Sequence, residues 1–142
     1  MKKIVRLLLI VSISSLLFSC QKSSEKLKSD VVSASESMLQ HNVYFYLKDS
    51  INAEDKREFE KGLSKLLSID VIHKAEVGIT AATKSREVTD HEFEYSIFVW
   101  FKTMKDYEVY ADHPDHLQFI ETYKHLWNQV KVYDSKITST SK

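Results

Sequence analysis

The segment that most constrains the fold is residues 91–102 (HEFEYSIFVWFK), which alternates like a β-strand but is apolar on both sides. Successive side chains of a strand point to opposite faces of the sheet. The first face would carry Phe93, Tyr95, Ile97, Val99 and Phe101, and the second would carry Ser96, Phe98 and Trp100. A strand that is apolar on both faces belongs in the middle of a sheet that is covered twice.

The rest of the chain predicts three further strands and two helical regions around that strand. Segments rich in β-branched and aromatic side chains, which are typical of strands, are residues 41–48, 71–80 and 128–137. Residues 53–69 carry apolar side chains at helical spacing, and Asn52 just before them can cap a helix. A second helical region follows Thr103, with Pro114 placed where proline is favoured at a helix start. The order βαββαβ predicts an α+β fold: a ferredoxin-like sandwich with an antiparallel four-stranded sheet and helices on one face.

The face of this sheet without helices would be strongly aromatic. Alternation along the strands places five large side chains there: Tyr44, Tyr46, Phe98, Trp100 and Tyr133. A contiguous apolar patch of this size is rarely left exposed to water. A second copy of the same sheet would cover it in a pair with two-fold symmetry. The sequence therefore predicts a homodimer formed through this outer face.

The N-terminus predicts export. Residues 1–19 combine a basic start with an apolar run that is shorter than the roughly 20 residues needed to span a bilayer. The only cysteine, Cys20, follows where a signal peptide would be cut. This pattern resembles a bacterial lipoprotein signal, which implies lipidation of Cys20 and attachment to a bacterial membrane on the periplasmic or cell-surface side. The alternative is a plain signal peptide with an incidental cysteine.

After the cut, the composition divides the chain into three parts. Residues 20–40 are rich in serine and predict a flexible tether behind the lipidated cysteine. The folded domain is predicted at residues 41–137, and residues 138–142 form a polar tail.

The stretch between residues 106 and 127 concentrates side chains that can move protons or bind polar ligands near neutral pH. Packed on the helix-covered face of the sheet, they would line an apolar pocket of the kind that holds small molecules. The residues predicted to line it are His41, Val43, Phe45, Phe59, Tyr95, Ile97, Tyr107, Tyr110, His113, His116 and Ile120. In a catalytic interpretation, His116 would be the general base and Tyr110 its partner.

Other interpretations of these residues stay open. His113 and Pro114 fit the start of a helix, and Tyr110 with His116 can be a semi-buried structural pair. The i, i+3 spacing of His113 and His116 suits metal ligands, but no third ligand is evident, so no metal or other cofactor is predicted. No basic patch with interleaved aromatic residues occurs, so nucleic acid is not expected as a partner.

Three motifs resemble the stress-responsive dimeric α/β-barrel (Dabb) domain family. They are the opening strand HNVYF at residues 41–45, the segment YADHPDH at residues 110–116, and the closing strand at residues 127–134. The resemblance covers about residues 41–137 and implies a homodimer whose two sheets close into a barrel. Plant polyketide cyclases of this family use a Tyr/His pair that corresponds to Tyr110 and His116, and a strand histidine that matches His41. A further histidine of those cyclases is Tyr95 in this chain.

Together these features predict a lipid-anchored, stress-response-type dimeric α/β-barrel protein that binds a small apolar or aromatic molecule in a sheet–helix pocket. One alternative is an aldol-type enzyme, similar to the polyketide cyclases, that uses Tyr110 and His116. Another is a purely structural dimer whose pocket is filled by its own side chains. The sequence carries no phosphate loop, metal-ligand cluster or nucleophile–base–acid set, so it favours binding over catalysis.

Overall fold

The computed structural model describes residues 38–138, which form a single four-stranded sheet with helices on one side. The elements follow in the order β1 (Leu39–Leu47), α1 (Ala53–Leu66), β2 (Lys74–Ile79), β3 (Tyr95–Phe101), α2 (Met104–Ala111), α3 (Pro114–Tyr123) and β4 (Trp127–Lys136). The strands lie in the order β2-β3-β1-β4, and every neighbouring pair is antiparallel. This confirms the predicted ferredoxin-like α+β fold. The predicted signal peptide, Cys20 and the predicted tether as far as residue 37 lie outside the described residues. Leu39 and Gln40, which were also assigned to the tether, begin β1, so the folded domain starts earlier than predicted.

The double-sided apolar strand is central, as predicted. β3 lies between β2 and β1, and its helix-facing side chains Ile97, Val99 and Phe101 are at most 1% exposed. On the other face Ser96 is buried, while Phe98 and Trp100 are half-buried. Burying a large apolar side chain contributes on the order of 1.5–3 kcal/mol, so β3 organises the core.

Two strands start later than the alternation predicted. The second strand begins at Lys74, because a turn in which the Ile72 amide donates to the Ile69 carbonyl (3.0 Å) comes first. The third begins at Tyr95, and the prediction that Phe93 shares its face was wrong. The ring of Phe93 contacts Tyr44 on the opposite face at 5.0 Å between centroids. Outside the ladder the period of two no longer fixes the direction of a side chain.

Local capping explains where the helices begin. Asn52 Oδ1 accepts hydrogen bonds from the Glu54 and Asp55 amides at 2.8 and 2.9 Å, and the Asp55 carboxylate accepts from the Asn52 amide. Thr103 and Asp106 form the same reciprocal pair at the start of α2. Such caps satisfy amide groups that have no partner within the helix. None of the helices in residues 38–138 is long and apolar enough to cross a membrane.

The helices pack on the sheet through aromatic rings, and α1 approaches α3 closely at one glycine. Phe59 of α1 is fully buried against Phe45 at 5.2 Å and Phe119 at 5.6 Å between centroids. A Cβ built at Gly62 would lie 2.3 Å from Cε2 of Tyr123, so only glycine leaves room for that ring. This contact sets the spacing of α1 and α3 above the sheet.

Candidate functional site

A cavity of about 230 Å³ lies between the helix-facing side of β1 and β4 and the helices above it. It is lined by His41, Val43, Phe45, Leu66, Ile97, Tyr110, His116, Phe119, Ile120, Trp127, Val130 and Val132. Aliphatic and aromatic side chains form most of this wall, and no carboxylate, ammonium or guanidinium group is part of it. Such a wall with few polar groups is the usual composition of a small-molecule site.

Besides the indole N–H of Trp127, the wall has three residues with polar side-chain groups, and these three lie together. The ring of Tyr110 is 4.6 Å from that of His116 and 5.9 Å from that of His41, measured between centroids. The cavity therefore has one polar end and an apolar remainder. A ligand that fits it combines an apolar body with one hydrogen-bonding group.

β1 and β4 position His41. His41 and Asp134 are direct cross-strand neighbours, and Nδ1 of His41 lies 2.6 Å from Oδ1 of Asp134. A carboxylate only accepts hydrogen bonds, so Nδ1 carries the proton in this pair. The His41 side chain is 8% exposed and that of Asp134 is 41% exposed, so the pair runs from the cavity wall to the edge of the sheet.

The junction of α2 and α3 positions His116. Nδ1 of His116 lies 2.8 Å from the carbonyl oxygen of Ala111, which also only accepts. This hydrogen bond joins the first turn of α3 to the last residue of α2. It holds the imidazole beside Tyr110, which is 1% exposed.

Burial sets the protonation states of this pair. Burial raises the pKa of the Tyr110 phenol well above its ordinary value, so the hydroxyl keeps its proton at neutral pH. Burial also lowers the pKa of His116; the Ala111 carbonyl opposes this effect, and repulsion from His41 and His113 in their protonated forms adds to it. Both effects follow from the cost of placing a charge away from water. At neutral pH the pair is a neutral phenol next to a neutral imidazole.

The structure brings seven of the predicted pocket residues to this cavity: His41, Val43, Phe45, Ile97, Tyr110, His116 and Ile120. The other four have different surroundings. Phe59 lies deeper in the core, and Tyr107 packs against His41 and Phe101 at 5.6 and 5.7 Å between centroids. The Tyr95 hydroxyl donates to Glu60 (2.6 Å), and burial together with this bond raises the pKa of Tyr95 to about 12.

His113 is the fourth, and it caps a helix. Its Nδ1 accepts a hydrogen bond from the Asp115 amide at 3.2 Å, and Pro114 occupies the first position of α3. This is the helix-start arrangement that the sequence left open as an alternative. Within residues 38–138 no group of three His, Cys, Asp or Glu side chains is placed to hold a metal ion.

Several wall residues were not predicted: Leu66, Phe119, Trp127, Val130 and Val132. The spacing of Val130 and Val132 along the last strand shows that they share a face. It does not show that the neighbouring strand is the one that carries His41. Asp134 was also missed as a partner of His41, from which it is separated by 93 residues. Only the antiparallel pairing of β1 with β4 brings these residues to the cavity.

The outer face of the sheet carries an aromatic cluster. The Tyr44 ring contacts the rings of Phe98 and Tyr133 at 6.1 and 6.0 Å between centroids, and Tyr133 is 56% exposed. Next to them, Oδ1 of Asn42 is buried with no hydrogen-bond partner among the described residues. A buried polar atom without a partner is uncommon in a folded protein.

Comparison with known families and structures gives consistent matches. The model of the Stress responsive A/B Barrel Domain (Dabb) matches residues 39–137. Among functionally curated proteins no sequence match is found. A Dabb family protein with a ferredoxin-like fold from Mesorhizobium loti is 19% identical, with a TM-score of 0.59 over 72% of this chain and 99% of that one.

Two further solved structures are similar in fold. A dimeric ferredoxin-like protein of unknown function from Bacteroides fragilis is 22% identical, with a TM-score of 0.55 over 72% of this chain and 99% of that one. A hydroxynitrile lyase from Passiflora edulis is 15% identical, with a TM-score of 0.64 over 75% of this chain and 98% of that one. Similarity at this level of identity extends to the fold, and the similar structures include dimers.

Proposed function

This chain belongs to the stress-responsive A/B barrel domain (Dabb) family, and we propose that it is a lipid-anchored homodimer that binds a small neutral molecule in the sheet–helix cavity. The observation that carries the proposal is the cavity itself, an apolar wall with His41, Tyr110 and His116 gathered at one end. An open space of this kind counts against a purely structural dimer whose own side chains fill the pocket.

The size and charge of the cavity limit its ligand. A dry cavity of about 150 Å³ holds benzene, so about 230 Å³ accommodates one ring or a short branched chain with a small substituent. The wall offers no charged side chain to a carboxylate or an amine, and a buried unpaired charge is costly. The ligand is therefore neutral, with one polar group directed to the histidines.

A cavity-filling variant tests this binding role. Val130→Phe adds a ring on the wall, whereas Val88→Phe adds the same ring at a loop position that is 84% exposed. Calorimetric titration with 4-ethylphenol should give binding to the wild type and to Val88→Phe. Affinity should fall at least about tenfold in Val130→Phe, since a ligand cannot share the filled volume. Equal affinity in all three proteins would place the binding site elsewhere.

Catalysis of the aldol or related acid–base type is the second candidate function. It is supported by the neutral imidazole of His116 beside the phenol of Tyr110 in an apolar site, and one structure of similar fold is a hydroxynitrile lyase. Turnover of model polyketides would be compared in wild type, His116→Ala and Tyr110→Phe. Turnover that is equal in all three would rule out the cyclase role. Loss of ligand affinity without any turnover would leave the binding role alone.

The homodimer is proposed to form through the outer face of Tyr44, Tyr46, Phe98, Trp100 and Tyr133. Support comes from the aromatic cluster, in which Tyr133 is exposed, Tyr44, Phe98 and Trp100 are half-buried and Tyr46 is buried, and from the dimeric structures of similar fold. Phe98→Glu would place two carboxylates in the interface of each dimer, and sedimentation equilibrium should then show monomers. Val88→Glu, at an exposed loop position, is the matched control and should stay dimeric. A wild type that sediments as a monomer would remove the proposal.

Attachment to a bacterial membrane is proposed from the N-terminal sequence. The signal-like residues 1–19 and the single Cys20 support a lipid anchor on the periplasmic or cell-surface side. Palmitate labelling in a bacterial host should mark the wild type and not Cys20→Ser. Unchanged labelling in that variant would favour the plain signal peptide with an incidental cysteine.

A further inference from the structure

The two cavity histidines share a feature that the sequence did not show. Each forms a hydrogen bond through Nδ1 with a residue outside the cavity wall. Nδ1 of His41 faces the Asp134 carboxylate at 2.6 Å, and Nδ1 of His116 faces the Ala111 carbonyl at 2.8 Å. Neither acceptor residue is part of the cavity wall. Because both partners only accept, both Nδ1 atoms carry hydrogen.

The tautomers follow from these two bonds. A neutral imidazole with its hydrogen on Nδ1 has an unprotonated Nε2, which accepts hydrogen bonds. Within residues 38–138 the hydrogen bonds of both rings are made by Nδ1, and neither Nε2 is among the fully buried atoms that lack a partner. No hydrogen bond contributes to the pKa of the Tyr110 hydroxyl, and this oxygen is not among the fully buried atoms that lack a partner. When both rings are neutral, the polar end of the cavity offers two acceptors and one hydroxyl.

We propose that this cavity selects ligands that donate an O–H group, such as phenols, enols or α-hydroxy compounds, and that Asp134 is the positioning residue that imposes this choice through His41. The inference rests on the proposed binding function of the cavity and adds the chemical class of the ligand. A ligand hydroxyl can donate to an imidazole Nε2 while its oxygen accepts from Tyr110. A ketone of the same size can only accept, from the Tyr110 hydroxyl or from the Trp127 indole N–H of the wall, and it leaves both Nε2 atoms without a partner.

Asp134 controls the selection because it determines which ring nitrogen of His41 is protonated. An asparagine at this position can present its amide NH₂ to Nδ1, and His41 then carries its hydrogen on Nε2. That nitrogen becomes a donor and no longer discriminates against a carbonyl. His116 keeps its own tautomer, because its partner is a main-chain carbonyl that no side-chain substitution removes.

The test compares 4-ethylphenol with acetophenone, which are similar in size and differ in whether they donate a hydrogen bond. Dissociation constants are measured by calorimetry at about pH 8, above the ordinary histidine pKa of about 6.5. Wild type, Asp134→Asn and Asp49→Asn are compared. Asp49 is exposed in the loop after β1 and serves as the charge-matched control. NMR of the ring nitrogens in isotope-labelled, ligand-free protein reports the tautomer of His41 separately.

We expect the wild type and Asp49→Asn to prefer the phenol about tenfold, the effect of one buried hydrogen bond to a polar group. The preference should fall several-fold in Asp134→Asn, and the Nε2–H form of His41 should increase in its spectrum. Binding of both probes without preference, or an unchanged preference in Asp134→Asn, would overturn the inference and leave the binding function standing. A wild-type spectrum with hydrogen on Nε2 of His41 would also overturn it. Failure of both probes to bind would remove the proposed function and this inference with it.

Discussion

Gly62→Ala gives the sharpest test of how the helices are held over the cavity. The added Cβ would lie 2.3 Å from Cε2 and 2.6 Å from Cζ of the Tyr123 ring. That ring cannot simply turn aside, because it packs against Phe59 at 5.8 Å and Phe119 at 5.1 Å between centroids. Phe119 is itself part of the cavity wall, so the substitution connects stability with the site.

Two opposing effects decide the result. Alanine is favoured over glycine in a helix interior by about 1 kcal/mol. Moving Tyr123 weakens two aromatic pairs, each worth about 0.5–1.5 kcal/mol beyond the buried area. Forcing extra atoms into a packed contact costs about 1–3 kcal/mol. These two costs are alternative ways of absorbing the same clash, so a loss of about 1–3 kcal/mol opposes a gain of about 1, and we expect Gly62→Ala to reduce the free energy of unfolding by up to about 2 kcal/mol.

Urea unfolding followed by circular dichroism measures this change. Ser64→Ala, at an exposed position of the same helix, controls for alanine itself and should leave stability unchanged or slightly higher. In a Tyr123→Ala background the clash is absent, and Gly62→Ala should then stabilise the protein by up to about 1 kcal/mol. A stabilising effect of Gly62→Ala with Tyr123 present would refute the close approach of α1 and α3.

Other expected outcomes concern single groups. Burial lowers the pKa of His116, so its neutral form is favoured in the folded protein. The free energy of unfolding should therefore fall as the pH drops from about 6.5 through that lowered pKa. Urea titrations at several pH values should show a weaker pH dependence for His116→Gln than for the wild type. Thr103→Ala removes the cap of α2 and should lower the free energy of unfolding by about 1 kcal/mol, while Thr103→Ser should retain most of it. Burial and the hydrogen bond to Glu60 raise the pKa of Tyr95 to about 12. In an ultraviolet titration Tyr95 should therefore be among the last tyrosines to ionise as the pH rises. Glu60→Gln should lower the midpoint of its ionisation. No change in that midpoint would contradict the hydrogen bond.

Local rules accounted for the elements and for most of the helix-covered face. The period of two in β1 and β3 placed His41, Val43 and Phe45 on one side and Tyr44 on the other, because the direction of a side chain in a strand depends only on its position. The helix starts at Asn52 and Thr103 were likewise predicted, since a cap needs only residues within one turn. The period of two gave the wrong face for Phe93, because this residue lies before the first paired residue of β3.

The sequence by itself determined which residues face the helices, where the helices begin and that an aromatic face needs a cover. Only the tertiary structure decided that Asp134 meets His41, that His113 is used as a cap while His116 reaches Tyr110, and that Leu66 and Phe119 complete the wall. The physical reason is one of range. Alternation and capping act between residues a few positions apart, whereas the register of β1 on β4 is fixed by the packing of the whole sheet against its helices.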